Sequence, residues 1–200
     1  RVEQYGQVVQ ERLSGDFEQA GAKWPPKKMV LIGLKEEKLL EVWVSQDGDR
    51  YCFLKSYPIL GTSGKLGPKL KEGDLQVPEG LYRIESLNPN SRFHLSLRVN
   101  YPNAFDRKMA AREGRTNLGG DIMIHGSRCS IGCLAMGNPA AEDLFILAAE
   151  TGVDNISVIL SPVDFRVRDF KGDFSQMLSW VPGLYEQIKD ELTNYSKRTD

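Results

Sequence analysis

His125 and Cys133 are the two residues of this chain whose types and spacing suit chemistry together. They bound the run His125-Gly126-Ser127-Arg128-Cys129-Ser130-Ile131-Gly132-Cys133, and His125 is one of only 2 histidines in 200 residues. Nucleophilic catalysis by cysteine needs an imidazole near the thiol and backbone N–H groups free to hold an oxyanion. The apolar lead-in Ile122-Met123-Ile124 reads as a buried strand that delivers His125 at its end, and a tight loop can then return Cys133. The chemistry implied is that of a cysteine hydrolase or acyl-transferase. Cys133 is the expected nucleophile and His125 the general base, with a thiolate–imidazolium pair lowering the thiol pKa from its usual ~8.5. No carboxylate is placed to orient the imidazole, so the backbone carbonyl of Gly126 is assigned that role. Gly132 is expected in a backbone conformation that L-residues avoid, turning its own N–H and that of Cys133 toward a substrate as an oxyanion hole.

The same run allows another class. His125, Cys129 and Cys133 form H-x3-C-x3-C, which with Asp121 or water could ligate zinc. No second ligand cluster exists, so no metal and no cofactor is assigned. Three cysteines, Cys52, Cys129 and Cys133, are too few for a disulfide scaffold. In an oxidising compartment Cys52 and Cys129 could pair and leave Cys133 reduced. His94, in an alternating segment, reads as an ordinary half-buried or exposed histidine, and Cys129 as structural.

The elements that must position these residues are mostly strands. Val2–Leu13 and Asp16–Ala22 read as two helical pieces closed by Pro25-Pro26. Lys28–Leu34, Leu39–Ser45 and Arg50–Pro58 read as a meander, with Leu40, Val42 and Val44 opposite Trp43 and a Gln46-Asp47-Gly48-Asp49 turn. Gly61–Gly80 is a long Gly/Pro/Lys-rich loop, expected to border the active-site groove and to order on substrate binding. Leu81–Leu87 and Phe93–Val99 are strands about an Asn88-Pro89-Asn90 turn, and Tyr101–Gly120 is a second irregular stretch. Asp121–His125 is the motif strand, and Pro139–Thr151 a helix ending at Gly152. Asn155–Leu160 and Phe165–Val167 are strands, and Phe174–Tyr195 is helical around a Pro182-Gly183 break. The fold class expected is mainly β with flanking helices (α+β), divided as a helical segment 1–26, a catalytic domain 27–168 and a helical segment 169–200.

A formal net charge of −1 gives no argument for nucleic acid as a partner. No apolar run has the length of a membrane span.

The motif resembles that of the YkuD-type L,D-transpeptidases, in which His-Gly precedes Ser-X-Gly-Cys; here these are His125-Gly126 and Ser130-Ile131-Gly132-Cys133. The hairpin Val30–Val44, Tyr57-Pro58 and Val77-Pro78-Glu79-Gly80-Leu81-Tyr82 are similar to other parts of that domain. Leu66-Gly67-Pro68-Lys69, Tyr101-Pro102-Asn103 and Gly132-Cys133-Leu134-Ala135-Met136 resemble its YafK-like branch. The resemblance covers roughly Phe17 to Phe165. It implies a YkuD-like β-sandwich or barrel-type domain that acts through an acyl-enzyme on diaminopimelate-containing peptidoglycan stem peptides. Transpeptidation is the first reading, and hydrolysis of peptidoglycan or peptidoglycan–lipoprotein links the alternative. A catalytically silent wall-binding module is a third. The implied location is periplasmic or cell-wall associated, by export, with the leader absent from this sequence.

Two departures stand out. Ile131 replaces the second histidine that most members carry before Gly-Cys, and Ala135 replaces a common arginine. The carboxylates of a stem peptide would then need other anchors. Lys69, Arg107 and Arg128 are the candidates, with Lys65 beside them, Tyr101 as a groove wall and Ser130 as a hydrogen-bonding loop residue. Tyr82, Trp24, Trp43 and Trp180 read as packing residues.

Overall fold

The computed structural model describes residues 1–196. Eight strands form one mixed half-barrel sheet: β1 Lys28–Leu34, β2 Leu39–Ser45, β3 Cys52–Pro58, β4 Gly80–Ser91, β5 His94–Val99, β6 Met123–His125, β7 Leu134–Ala135 and β8 Ile156–Ser161. Their spatial order is β3-β2-β1-β8-β4-β5-β6-β7. Among the described residues, four α-helices, α1 Val2–Ala20, α2 Ala104–Arg112, α3 Asn138–Thr151 and α4 Val181–Leu192, and two short 3-10 turns, Val153–Asn155 and Phe174–Gln176, complete the regular structure. The sheet is covered on both faces, so its central strands read as nearly continuous apolar runs. Along β1 and β2, Met29, Leu31, Leu40, Val42 and Val44 enter the core shared with α1 and α3. Val30, Ile32, Leu34 and Trp43 point the other way, toward Leu184, Tyr185 and Ile188 of α4. Pairing of β1 with β8 is parallel, Met29 opposite Ile156, whereas β1–β2, β4–β8 and β4–β5 are antiparallel.

Several elements differ from the sequence expectation. The N-terminal segment is one helix rather than two, running through Gly15 to a left-handed cap at Gly21 with φ 63°. A helical glycine costs about 1 kcal/mol, but burying the Val9, Leu13 and Phe17 stripe contributes roughly 1.5–3 kcal/mol for each side chain. Arg12 Nε donates to Asp143 of α3 at 2.7 Å, and Tyr57 of β3 donates to the same carboxylate at 2.9 Å. Helix α1 is thereby tied to both elements beneath it.

The β4–β5 turn lies at Ser91–His94, not at Asn88-Pro89-Asn90. Pro89 falls in the register irregularity between Asn88 and Ser91, where the ladder does not need its missing N–H. The stretch after Tyr101 contains α2, started by a reciprocal capping box. Asn103 Oδ1 accepts the Asp106 N–H at 3.1 Å, and Asp106 Oδ2 accepts the Asn103 N–H at 2.9 Å. Phe165–Val167 is not a strand: Phe165 is buried near α4, while Arg166 bridges Asp164 at 2.7 Å and Glu41 at 3.0 Å. Pro182 sits in the first turn of α4, where no N–H is required, and so starts that helix instead of breaking it. Residues 197–200 of the C-terminal segment lie outside the described residues.

Residues 60–79 have no regular element but are pinned from inside. Lys35 Nζ donates to Glu79 Oε1 at 2.8 Å and to the carbonyls of Val77 and Gly67 at 2.9 and 3.0 Å. The other oxygen of Glu79 accepts the Tyr185 hydroxyl at 2.7 Å. Removing one member of a buried pair strands the other charge, so Glu79→Gln should lose about 3–5 kcal/mol in urea unfolding. The double variant Lys35→Met/Glu79→Gln should recover much of that loss.

Candidate active site

The site is set by strand register at one edge of the sheet. β6 pairs with β5 antiparallel, Ser96 opposite His125, and with β7 parallel, Ile124 opposite Leu134 and His125 opposite Ala135. Continued by one residue, the β6–β7 register puts Cys133 beside Met123. Residues two apart on a strand share a face, so the register places Cys133, Met123 and His125 on one face. The thiol sulfur accepts the Met123 N–H at 3.4 Å and lies 3.5 Å from the Asp121 carbonyl. His125 is 2% exposed. Its Nδ1 meets the Gly126 carbonyl at 2.5 Å, and its ring stacks on Phe93 with centroids 4.7 Å apart. A carbonyl can only accept, so Nδ1 carries the proton and Nε2 is left as a base.

The connecting loop is stitched at both ends. A Cβ on Gly126 would meet Asn138 Oδ1 and the Phe93 carbonyl at 2.7 Å, so only glycine fits. Asn138 Oδ1 accepts the Ser127 N–H at 2.9 Å, and Met136 N–H returns to the His125 carbonyl at 2.8 Å. On the outer edge of β7, Ala135 N–H donates to the Gly61 carbonyl at 2.9 Å, closing the start of the long loop against the motif. Gly132 has φ 87°, in the left-handed region that L-residues rarely adopt. The two N–H groups expected to face a substrate are both engaged. Gly132 donates to Ser63 Oγ at 2.6 Å, and Cys133 donates to Ser130 Oγ at 2.9 Å. Both donors expected to form an open oxyanion hole are therefore taken by serine hydroxyls.

The electrostatics run against the expected ion pair. Burial pushes the Cys133 thiol above its ordinary value; the Met123 N–H opposes that, the charge of Asp121 adds to it, and Lys69 opposes it more weakly. Burial pushes His125 below its ordinary 6.5, opposed by the Gly126 hydrogen bond. Both shifts favour the uncharged forms, thiol and neutral imidazole, over a thiolate–imidazolium pair. Ile131, 76% exposed, supplies no second charge.

Residues 27–159 match the family described as the YkuD L,D-transpeptidase catalytic domain. The chain belongs to the YkuD family. Its domain is therefore an enzyme domain of the transpeptidase and peptidase type, of a family that acts on peptidoglycan. It is 38% identical over 140 residues to the protein named "Putative L,D-transpeptidase YafK" in Escherichia coli K12, and equally so to that of strain O157:H7. The match covers 68% of this chain and 53% of the relative, so the chain spans about half the length of the curated relatives it matches. Among solved structures, the helical cell shape determining protein Pgp2 of Campylobacter jejuni shares the fold. Its TM-score is 0.56 at 18% identity, covering 93% of this chain and 78% of that one. The Pgp2 K307A mutant gives 0.55 at 20% identity, covering 92% and 62%.

Within this YkuD domain the remaining candidates separate. Lys69 is 7% exposed and held by Asp74 at 2.6 Å and the Lys71 carbonyl at 2.8 Å, so it is a structural cation and not a free anchor. Tyr101 is buried, with its hydroxyl donating to the Leu118 carbonyl at 3.1 Å, so it packs the core rather than walling a groove. Arg107 is exposed on α2, in a separate groove with Arg83, Asn100 and Asp154. Arg128 is exposed in the motif loop and has no ion pair among the described residues. Lys65 lines a cavity of about 890 Å³ between the long loop and residues 173–181. Tyr82 is buried. Ala135 is fully buried against Gly61, which leaves no room there for an arginine.

His94 bonds Glu142 at 2.9 Å, outside the thiol's contacts. Cys52 and Cys129 are exposed free thiols. The alternative zinc set is not gathered: Asp121 pairs with Arg98 at 3.0 Å, and no His, Cys, Asp and Glu group of three or more converges among the described residues. Phe93 and Ser63 were missed by sequence reading. Each reaches the site from a distant segment, and no local pattern marks either.

The uncharged pair has a measurable signature. In a Cys52→Ser/Cys129→Ser background, alkylation of Cys133 by iodoacetamide should stay slow at neutral pH and climb only as pH passes 9. His125→Ala should leave that profile in place. An ion pair would instead give fast alkylation down to about pH 4, abolished by the same substitution. A neutral imidazole is lost as pH falls through its lowered pKa, so the acid limb of kcat/KM should lie below 6.5.

Proposed function

We propose that this YkuD domain is a peptidoglycan L,D-transpeptidase that works through a thioester on Cys133. The substrate is a diaminopimelate-containing stem peptide, cut at its L-to-D junction, and the setting is the periplasm or cell wall after export. One observation carries the reading. His125 has its Nδ1 proton committed to the Gly126 carbonyl, leaving Nε2 as a base on the sheet face that Cys133 shares.

In this mechanism the sulfur attacks the amide carbonyl while Nε2 takes the thiol proton, so charge appears only as the C–S bond forms. The N–H groups of Gly132 and Cys133 hold the developing oxyanion once their serine partners yield. The imidazolium then returns its proton to the departing amine. The thioester is released by an incoming amine, which transfers the acyl group, or by water, which hydrolyses it. Cleavage of a peptidoglycan–lipoprotein link differs only in the amide attacked and the acceptor. Phe93 keeps one face of the imidazole from water and restrains its rotation. Arg128, exposed in the motif loop, is the cation placed to meet a substrate carboxylate.

On diaminopimelate muropeptides, Cys133→Ala should abolish turnover, and His125→Ala should lower kcat by several orders of magnitude, as loss of a triad member does. Cys52→Ala, Cys129→Ala and His94→Ala should keep most activity. Product masses read the acceptor directly: cross-linked dimers for an amine, shortened stems for water. Equal losses across all five variants would contradict the nucleophile and base assigned here.

A further inference from the structure

The hydroxyl of Ser63 occupies an unusual position. It comes from the long loop, 69 residues away from Gly132 in sequence, yet its oxygen accepts the Gly132 N–H at 2.6 Å. Its own proton goes to the Leu75 carbonyl at 2.8 Å, across the same loop. Ser130, which covers the other N–H, is a local partner three residues from Cys133 and also donates to the Cys133 carbonyl. The two covers therefore differ in kind: Ser130 braces the motif loop from within, whereas Ser63 reaches in from outside.

From this geometry we infer that Ser63 is a displaceable plug. Its hydroxyl oxygen stands in for the substrate's carbonyl oxygen at the Gly132 N–H, and the loop must withdraw it before acylation. The inference rests on the acyl-enzyme reading above and adds a gate to it. The loop is built to allow that movement. Gly64, beside Ser63, has φ 83°, and Gly73 has φ 72°. Leu75, whose carbonyl holds the Ser63 proton, has φ 59° and is 49% exposed. A left-handed non-glycine residue is strained, and Ser63 is held by the carbonyl of this one. The rest of the loop need not move. Gly61 is paired to Ala135 on one side of Ser63, and Lys35, Glu79 and Gln76 anchor the returning segment on the other. A substrate carbonyl seated at Gly132 replaces one accepted hydrogen bond with another, and the developing negative charge strengthens the second.

The test compares two reagents on the thiol in the Cys52→Ser/Cys129→Ser background. Acylation by a carbapenem passes through an oxyanion; alkylation by iodoacetamide does not. A typical hydrogen bond has a net worth of about 0.5–1.5 kcal/mol, so Ser63→Ala should acylate roughly two- to tenfold faster than the parent. Its alkylation rate should be unchanged, and Ser63→Thr, which keeps the hydroxyl, should behave as the parent in both reactions. Acylation of Ser63→Ala at or below the parental rate would overturn the plug, as would a parallel change in alkylation. Cys133→Ala serves as the separate control. If that variant is still acylated, the nucleophile assignment fails, whatever Ser63 does.

Discussion

The parallel pairing of β7 with β6 is the constraint on which the site depends. β7 has only two residues, yet its ladder to Ile124 and His125 fixes where the preceding residue, Cys133, must lie. One step of slip would turn the thiol to the opposite face of the sheet. The register is therefore clamped on several sides. Gly61 closes the free edge of β7, Met136 returns to the His125 carbonyl, and Leu134 and Ala135 are buried. The larger half-barrel serves this edge: α3 packs on β5 and β6, and α1 packs on α3.

Burial gives the site its electrical character. A cysteine and a histidine removed from water resist charging, and the charge of Lys69 offsets that only in part at the thiol. In the proposed mechanism, a pair that resists charging would leave the resting thiol slow toward incidental electrophiles. Reactivity then depends on a substrate that brings its carbonyl to the sulfur and to the backbone N–H groups together. The hydroxyls of Ser63 and Ser130 fit the same picture, since they satisfy donors that would otherwise be left unpaired. Both features place selectivity in the approach of the substrate rather than in a pre-formed thiolate.

Much of the architecture was legible because it is local. Lys28–Leu34 and Leu39–Ser45 matched their strands end to end, since each is a short, largely apolar run bounded by polar or turn residues. The group of His125, Gly126, Gly132 and Cys133 was legible as a cluster because one short run contains it. What escaped involves contacts between distant segments. Lys69 looked like a free cation until the fold supplied Asp74, and Phe93 and Ser63 carry no local sign of their destination. Helix α2 was hidden by its charged composition, although Asn103 and Asp106 have the spacing of a capping pair. Gly15 looked like a helix end because a glycine's cost is local, whereas the packing that outweighs it is tertiary.

The central claim is that an acyl group passes through the sulfur of Cys133. Intact-protein mass spectrometry after rapid acid quench, with peptide mapping, tests it most directly on a stem-peptide substrate. The account predicts a transient adduct of the acyl portion up to the L-to-D junction, bound to Cys133 and released by hydroxylamine as a thioester should be. It also predicts that the adduct is absent from Cys133→Ala. Turnover without any such adduct under single-turnover conditions, or an adduct mapped to another residue, would contradict it.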